Sequence, residues 1–304
     1  MAALEGSESG ALVGRIGPRR RGWATRTAPA RRDRLLTVIA ERSLLIALAL
    51  MFLAPVAFVV LTGFMTTAQA AGPSIWPRPF HPANFADVFS RAGLLRASGN
   101  TLLYAGLSTI GVVVSSVPVA YALSRLQWRL RGPTFLVVLA TMMLPQQVTA
   151  VPLYVLFAKL HLVGTLAPLI LPSFFGDAFS IFLLRQFFLT IPQDYIDAAR
   201  VDGAGEWRIL RQVVVPLAKP AIAAVALFSF LYAWNDFFGP LLYTGENPSA
   251  WTASVALANI RSQHHVQWNL TMAATVLFML PVIALFFVAQ KAFVQGVTLT
   301  GVKG

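Results

Sequence analysis

The sequence predicts an all-α, polytopic membrane protein with about six transmembrane helices. Of its 304 residues, 57% are hydrophobic, and the mean hydropathy is +0.67. Only 12% of the residues are charged, about half the share of roughly 25% that is usual in soluble proteins. The third observation is a series of long uncharged stretches, each close to the ~20 residues that a helix needs to cross a bilayer. Much of the chain is therefore expected to lie in lipid.

Six stretches satisfy this length criterion, and they lie at 44–64, 100–125, 131–159, 162–184, 220–243 and 272–289. A cleaved signal peptide is the alternative for the first stretch, because Ala68 and Ala70 form a small-residue pattern after it. However, the basic segment before it extends to Arg42, and the apolar run exceeds the ~7–15 residues of a signal peptide. We therefore expect an uncleaved first helix.

The basic residues predict the topology. With the N-terminus inside, 19 of the 24 Lys and Arg residues fall on the inner side and five on the outer side, as the positive-inside rule requires. Both termini are then cytoplasmic. The net charge of +12 is spread between apolar segments, which suits anionic lipid rather than a nucleic-acid partner. We expect a disordered basic tail at 1–42, a helix and outer loop at 43–97, a membrane domain at 98–290 and a cytoplasmic tail at 291–304.

Catalytic and metal sites are not predicted. The chain has no cysteine, and the adjacent His264 and His265 diverge without a carboxylate near them in the sequence. No lysine follows a glycine-rich phosphate loop, so any ATP must bind to another chain. An ion channel would need a filter loop or a ring of charges, and neither is evident. A membrane scaffold is a further alternative from a different class.

The segment 191–221, between the fourth and fifth stretches, is too polar to cross a membrane. Pro192 and an N-cap at Asp194 predict a short helix, which Gly203 interrupts. A second amphipathic stretch then extends to Pro216. Physical reasoning alone leaves open that this segment is a surface helix at the lipid head groups.

The spacing of this segment resembles the EAA loop of binding-protein-dependent ABC importer permeases. In that pattern Glu-Ala-Ala is followed after three residues by Gly, and after nine more by Ile-x-Leu-Pro. Here Asp197-Ala198-Ala199 precedes Gly203 and Val213-Val214-Val215-Pro216 with the same spacing, although Asp replaces Glu and valines replace Ile and Leu. Other segments resemble the carbohydrate-uptake branch, close to the second permease subunit of maltose-type transporters: Asn100-Thr101, Met142-Met143-Leu144-Pro145, Ile181-Phe182-Leu183-Leu184-Arg185-Gln186-Phe187-Phe188, Trp234-Asn235-Asp236-Phe237 and Gly301-Val302-Lys303-Gly304.

The resemblance implies a type I importer permease fold with its permease domain at 98–290, in the cytoplasmic membrane of a prokaryote. It implies a second permease subunit, two ATP-binding subunits that hold ATP and Mg²⁺, and an extracytoplasmic solute-binding protein. The loop would dock on the ATPase through Asp197, Ala198, Ala199, Arg200, Asp202, Gly203 and Pro216. The cargo would be a sugar or oligosaccharide; a polyamine, phosphate or glycerol-phosphate is the alternative within the same architecture.

Polar groups within membrane spans are expensive and are therefore candidates for a translocation path. They are Gln146, Gln147, Asp177, Asn235 and Asp236. Structural explanations stay open, since Asp236 can lie near the outer end of its span, hydrated or paired with a helix end, and Asp177 can pair with a partner subunit. Two acids and no matched basic set favour a neutral or cationic solute. Prolines within spans can also free carbonyls that line a cavity; they are Pro118, Pro145, Pro152, Pro168, Pro172 and Pro281.

Overall fold

The computed structural model describes residues 31–91, 93–262 and 267–300. Most of the predicted basic tail, the two adjacent histidines and the last four residues lie outside these ranges. Within them the regular structure is helical throughout: α1 Arg31–Gly63, α2 Thr67–Ala71, α3 Ala83–Arg91, α4 Leu94–Ser124, α5 Arg131–Thr141, α6 Gln146–Lys159, α7 Ala167–Ile170, α8 Ala178–Thr190, α9 Gln193–Val201, α10 Glu206–Ile209, α11 Val215–Leu217, α12 Lys219–Asn235, α13 Phe238–Thr244, α14 Ala253–Ser262 and α15 Trp268–Thr300. The predicted all-α fold is confirmed.

The chain divides into two compact units, residues 1–53 and 54–304. The described part of the first unit is the beginning of α1, whose large apolar side chains are exposed, among them Leu44 and Phe52. The second unit contains the remaining helices. Exposed apolar side chains of this kind suit a lipid environment.

Four candidate spans are long and apolar enough to cross a membrane, at Val38–Gly63, Leu94–Ser124, Ala167–Thr190 and Trp268–Val288. Two further candidates are bent pairs, Arg131–Thr141 with Gln146–Lys159 at 93° and Glu206–Leu217 with Lys219–Asn235 at 80°. The total reaches the predicted six if each bent pair counts as one span. The third predicted span, at 131–159, corresponds to the bent pair α5 and α6, and the chain turns between these helices next to Pro145.

Helix α4 is the central element of the second unit. Its C-terminal half packs with α8, α9, α10 and α12 in one apolar cluster. The buried residues of this cluster include Leu184, Phe188, Ile196, Ile209 and Val214. Its N-terminal half packs on α12 through Tyr104, Ala105, Ala233 and Trp234. One helix thus reaches from the polar 191–216 loop to the middle of the bundle.

A close approach of backbones fixes α4 against the fourth span. A Cβ atom at Gly111 would lie 2.4 Å from Ser173 Oγ and 2.8 Å from the Phe174 ring. Ser115 Oγ donates a hydrogen bond to the Ser173 carbonyl at 3.0 Å across the same contact. The 3₁₀ segment Leu171–Phe175 therefore lies against α4 where α4 has no side chain.

Candidate coupling loop and membrane cavity

The 191–216 loop consists of α9 and a second short helical stretch, which begins with α10 and continues into α11. The two parts pack on each other and on the end of α4. Helix α9 contributes Ile196 to the buried cluster, and the following turns contribute Ile209, Leu210 and Val214. The expected N-cap at Asp194 is wrong, because α9 already begins at Gln193 and Pro192 occupies the cap position. Asp194 lies instead in the first turn, where its negative charge is favourable near the helix N-terminus.

The residues of the loop motif lie mainly on its surface. Asp197, Ala198, Arg200, Asp202, Gly203 and Pro216 are exposed, and Ala199 is half-buried. Two large apolar side chains of the loop, Val201 and Trp207, are also 88% and 70% exposed. Ile196 is the buried residue that anchors α9.

The turn between the two helices depends on Gly203. Its φ is +77°, a value that residues with a Cβ rarely adopt. The Gly203 N–H donates to the Arg200 carbonyl at 3.0 Å, and the Ala204 N–H donates to the Ala199 carbonyl at 2.9 Å. The left-handed conformation just after the helix end agrees with the turn expected from the sequence.

The loop carries its own charge network. Arg200 bonds Asp197 Oδ1 at 3.2 Å and Glu206 Oε1 at 3.0 Å, and Gln193 Nε2 donates to Asp197 Oδ1 at 3.0 Å. Burial lowers the pKa of Arg200, but the hydrogen bond and charge of Glu206 outweigh this effect and raise it. Arg200 therefore stays positively charged, and its bond to Glu206 joins α9 to α10.

Two residues at the end of α4 join this network. The buried Tyr121 hydroxyl donates to Glu206 Oε2 at 2.5 Å. Arg125 donates to Gln193 Oε1 at 2.8 Å and to the carbonyls of Phe188 and Ile191. Burial lowers the pKa of Arg125. Neither set of contacts can be predicted from sequence spacing, because they join residues 63 to 85 positions apart.

A cavity of about 780 Å³ lies within the second unit, between α4, α6, α8, α12 and α13. Three of the predicted path residues line it: Gln146, Asp177 and Asp236. Gln147 and Asn235 are exposed and are not among its lining residues. Asn235 instead donates to the Leu231 carbonyl of its own helix at 2.8 Å.

Both acids of the cavity cap helix ends rather than standing within a helix. Asp177 is the N-cap of α8, and its Oδ2 accepts from the Ser180 N–H at 2.8 Å. Asp236 lies in the break between α12 and α13, where Oδ1 accepts from the Gly239 N–H at 3.1 Å. Such caps satisfy backbone donors that have no intrahelical partner. The pairing with a helix end that the sequence left open for Asp236 is thus observed, and both acids still reach the cavity.

Tyrosines complete the polar lining, and the sequence analysis missed them. Tyr104 donates to Asp236 Oδ2 at 2.9 Å, and Tyr232 donates to Gln146 Oε1 at 2.9 Å. A tyrosine within a span is usually counted as apolar, so its hydroxyl is less visible in the sequence than an amide or a carboxylate. Aromatic rings such as Phe179 and Phe228, which meet edge to face at 6.1 Å, line the same space.

The matches to known proteins agree with this architecture. Residues 92–299 match the family described as the binding-protein-dependent transport system inner membrane component. The arabinooligosaccharides transport system permease protein AraQ of Halalkalibacterium halodurans is 33% identical over 73% of this chain and 79% of its own length. The sn-glycerol-3-phosphate transport system permease protein UgpE of Yersinia pestis is 33% identical over 74% of this chain and 80% of its own length.

The fold also matches a solved structure, a bacterial ABC transporter involved in the import of the acidic polysaccharide alginate. The TM-score is 0.74 at 24% identity, and the match covers 86% of this chain and 98% of that chain.

The helical membrane fold and its polar loop define the class, a membrane-spanning transport subunit. The chain belongs to the binding-protein-dependent transport system inner membrane component family, and it is a permease subunit of an ABC importer. The channel and scaffold alternatives are thereby set aside.

Proposed function

We propose that this permease moves a neutral sugar or oligosaccharide, and that the 780 Å³ cavity is part of its translocation path. The observation that carries the proposal is the lining: tyrosine hydroxyls, an amide and two carboxylates alternate with aromatic rings. Hydroxyl-rich solutes need several hydrogen-bonding groups and apolar surfaces for their C–H faces. The name of the AraQ relative, an arabinooligosaccharide permease, supports the same substrate class.

A non-sugar solute is the second candidate, because the UgpE relative is named for sn-glycerol-3-phosphate. The charge of the cavity argues against an anion. Among the described lining residues Asp177 and Asp236 are acidic and none is Lys or Arg. A phosphate ester moving past two carboxylates without a basic partner would be repelled.

The partners are proposed from the exposed loop and from the family to which the chain belongs. A separate ATPase, which binds ATP and Mg²⁺, would dock on the exposed surface of α9 around Ala198, while a second permease subunit and a solute-binding protein complete the importer. This chain would carry no cofactor of its own and no catalytic residue. The excess of basic residues on the predicted inner side supports a cytoplasmic location for both termini and the loop. The family resemblance suggests the cytoplasmic membrane of a prokaryote.

A cysteine cross-link tests the docking. Since the chain has no native cysteine, Ala198→Cys can be paired with single cysteines on the ATPase in an assembled complex. We expect a cross-link whose yield changes when ATP is added. An assembled complex without this cross-link would contradict the coupling role of the loop. As a topology control, Ala198→Cys should be labelled from the cytoplasmic side and Ser74→Cys from the outside.

Substrate-stimulated ATP hydrolysis tests the cargo. The complex in proteoliposomes, with its binding protein, should respond to neutral oligosaccharides and not to sn-glycerol-3-phosphate. Stimulation by the phosphate ester alone would overturn the carbohydrate proposal and leave the importer assignment intact.

A further inference from the structure

Six residues form a ring of polar contacts where α4 meets the 191–216 loop. Starting from α4, the ring contains Arg125, Gln193, Asp197, Arg200, Glu206 and Tyr121. Five of the six consecutive pairs are joined by a side-chain hydrogen bond of 2.5 to 3.2 Å. The Arg125 N–H donates to the Tyr121 carbonyl at 2.8 Å and closes the ring within α4.

Charges of opposite sign alternate around the ring. Arg125 and Arg200 are cations, Asp197 and Glu206 are anions, and the neutral Gln193 and Tyr121 stand between them. The ring is therefore neutral as a whole, and each carboxylate accepts at least two hydrogen bonds. A single exposed ion pair contributes little to stability. In a connected network, each hydrogen bond polarises its neighbours and strengthens them.

Glu206 is the junction of three helices. It begins α10, its Oε1 accepts from Arg200 of α9, and its Oε2 accepts from Tyr121 of α4. Tyr121 is 3% exposed, so its hydroxyl has little freedom to choose another partner. Arg125 adds the end of α8, because it donates to the carbonyls of Phe188 and Ile191 there.

The ring gives the loop a lateral connection that its covalent links lack. The chain joins the loop to α8 and α12 alone, and the ring ties it to α4. Helix α4 continues without a break past Pro118 to Tyr104 and Ser108, which line the cavity. The path from Tyr121 to Tyr104 along one helix is about 25 Å at ~1.5 Å per residue.

We propose that the ring makes Tyr121 and Glu206 positioning residues for ATP-coupled transport: it holds the loop at a fixed orientation to α4, so that displacement of the loop moves the wall of the cavity. This inference rests on the proposed coupling role of the loop. Asp197 is itself a member of the ring, and its Oδ1 already accepts two hydrogen bonds there. The neighbouring Ala198, exposed and outside the ring, is then the surface that meets the ATPase.

Two conservative variants test the ring in the assembled importer. Tyr121→Phe removes one hydroxyl, and Glu206→Gln leaves one acceptor oxygen where two are used. Each is expected to lower the transported sugar per ATP hydrolysed by about tenfold, the size of one hydrogen bond to a charged group. Basal ATP hydrolysis and complex assembly should stay unchanged. Glu246→Gln, at an exposed carboxylate after α13, is the matched control and should leave the ratio at the wild-type value.

The double variant separates a ring from two independent contacts. Because both changes break the same connection, Tyr121→Phe with Glu206→Gln should lose no more than either change alone. Losses that multiply in the double variant would overturn the ring.

A second pair of variants tests the ring if the Tyr121 variant fails to assemble. Arg200→Lys, which keeps the charge, should recover part of the transport ratio that is lost in Arg200→Ala. An equal loss in both variants would contradict the proposal.

The Ala198→Cys cross-link distinguishes the two proposals. A nucleotide-sensitive cross-link together with an unchanged transport ratio in the Tyr121 and Glu206 variants would leave the coupling loop standing and overturn the ring. If Ala198→Cys forms no cross-link in an assembled complex that carries no other substitution in the loop or the ring, both the coupling loop and the ring are overturned.

Discussion

The Tyr104 hydroxyl donates to Asp236 Oδ2 at 2.9 Å, and this bond joins α4 to the break between α12 and α13. Tyr104 is 5% exposed, so the bond forms away from bulk water. Asp236 is held from the other side by the Gly239 N–H. The carboxylate therefore lies between two helices and is oriented towards the cavity by both.

Removing the Tyr104 hydroxyl should destabilise the protein measurably. A hydrogen bond to a charged group contributes about 1.5–3 kcal/mol, so we expect Tyr104→Phe to lower the free energy of unfolding by about 2 kcal/mol. Tyr232→Phe is the matched control, since Tyr232 is 62% exposed and surface changes usually stay within about 0.5 kcal/mol. Unfolding in detergent measures both. Equal losses would mean that the Tyr104 bond is not specially protected.

Gly239→Ala should act on the same carboxylate. The new Cβ would lie 2.6 Å from Asp236 Oδ2 and 3.0 Å from Leu169 Cδ2, so the carboxylate must turn away. Overpacking of this kind costs about 1–3 kcal/mol. In the Tyr104→Phe background the carboxylate has lost its bond to Tyr104 and can turn more easily, so the added loss should be smaller. The four proteins of this cycle, unfolded in the same detergent, give the coupling; strict additivity would contradict it.

Much of this fold can be predicted from sequence, because hydropathy reports on each span separately. Bends and partners are different. Pro118 and Pro281 lie within continuous helices, whereas the chain turns by 93° at Pro145. A proline removes one N–H in every case, but whether the helix breaks depends on neighbours distant in sequence. In the same way Asp236 is visible as an intramembrane acid, while its bond to Tyr104 joins residues 132 positions apart.

The contact of α4 with the Leu171–Phe175 segment requires glycine at position 111. A Cβ there would meet Ser173 Oγ and the Phe174 ring at 2.4 and 2.8 Å, and the hydrogen bond from the Ser115 hydroxyl to the Ser173 carbonyl holds the two segments together. We expect Gly111→Ala to lower the unfolding free energy by about 1–3 kcal/mol.

Gly106→Ala, in the same helix, supplies the control for Gly111. A Cβ at Gly106 meets nothing within 4 Å, and alanine is favoured over glycine within helices by about 0.5–1 kcal/mol. This variant should be neutral or slightly stabilised in the same detergent unfolding assay. If Gly111→Ala behaves as Gly106→Ala does, the close packing of α4 on the 3₁₀ segment is wrong.

Gly203 tests whether the loop turn matters through backbone conformation alone. Its φ of +77° is strained for alanine, although a Cβ there meets nothing within 4 Å. A left-handed residue other than glycine costs about 1–2 kcal/mol, and the loop should relieve that strain by changing the angle between α9 and α10. We therefore expect Gly203→Ala to lower the Ala198→Cys cross-linking yield to the ATPase with little change in the stability of the membrane helices.

Gly205→Ala is the control, since its φ is −71° and its Cβ site is also open. Equal cross-linking in the two variants would show that docking tolerates the altered turn, and would remove Gly203 from the coupling surface.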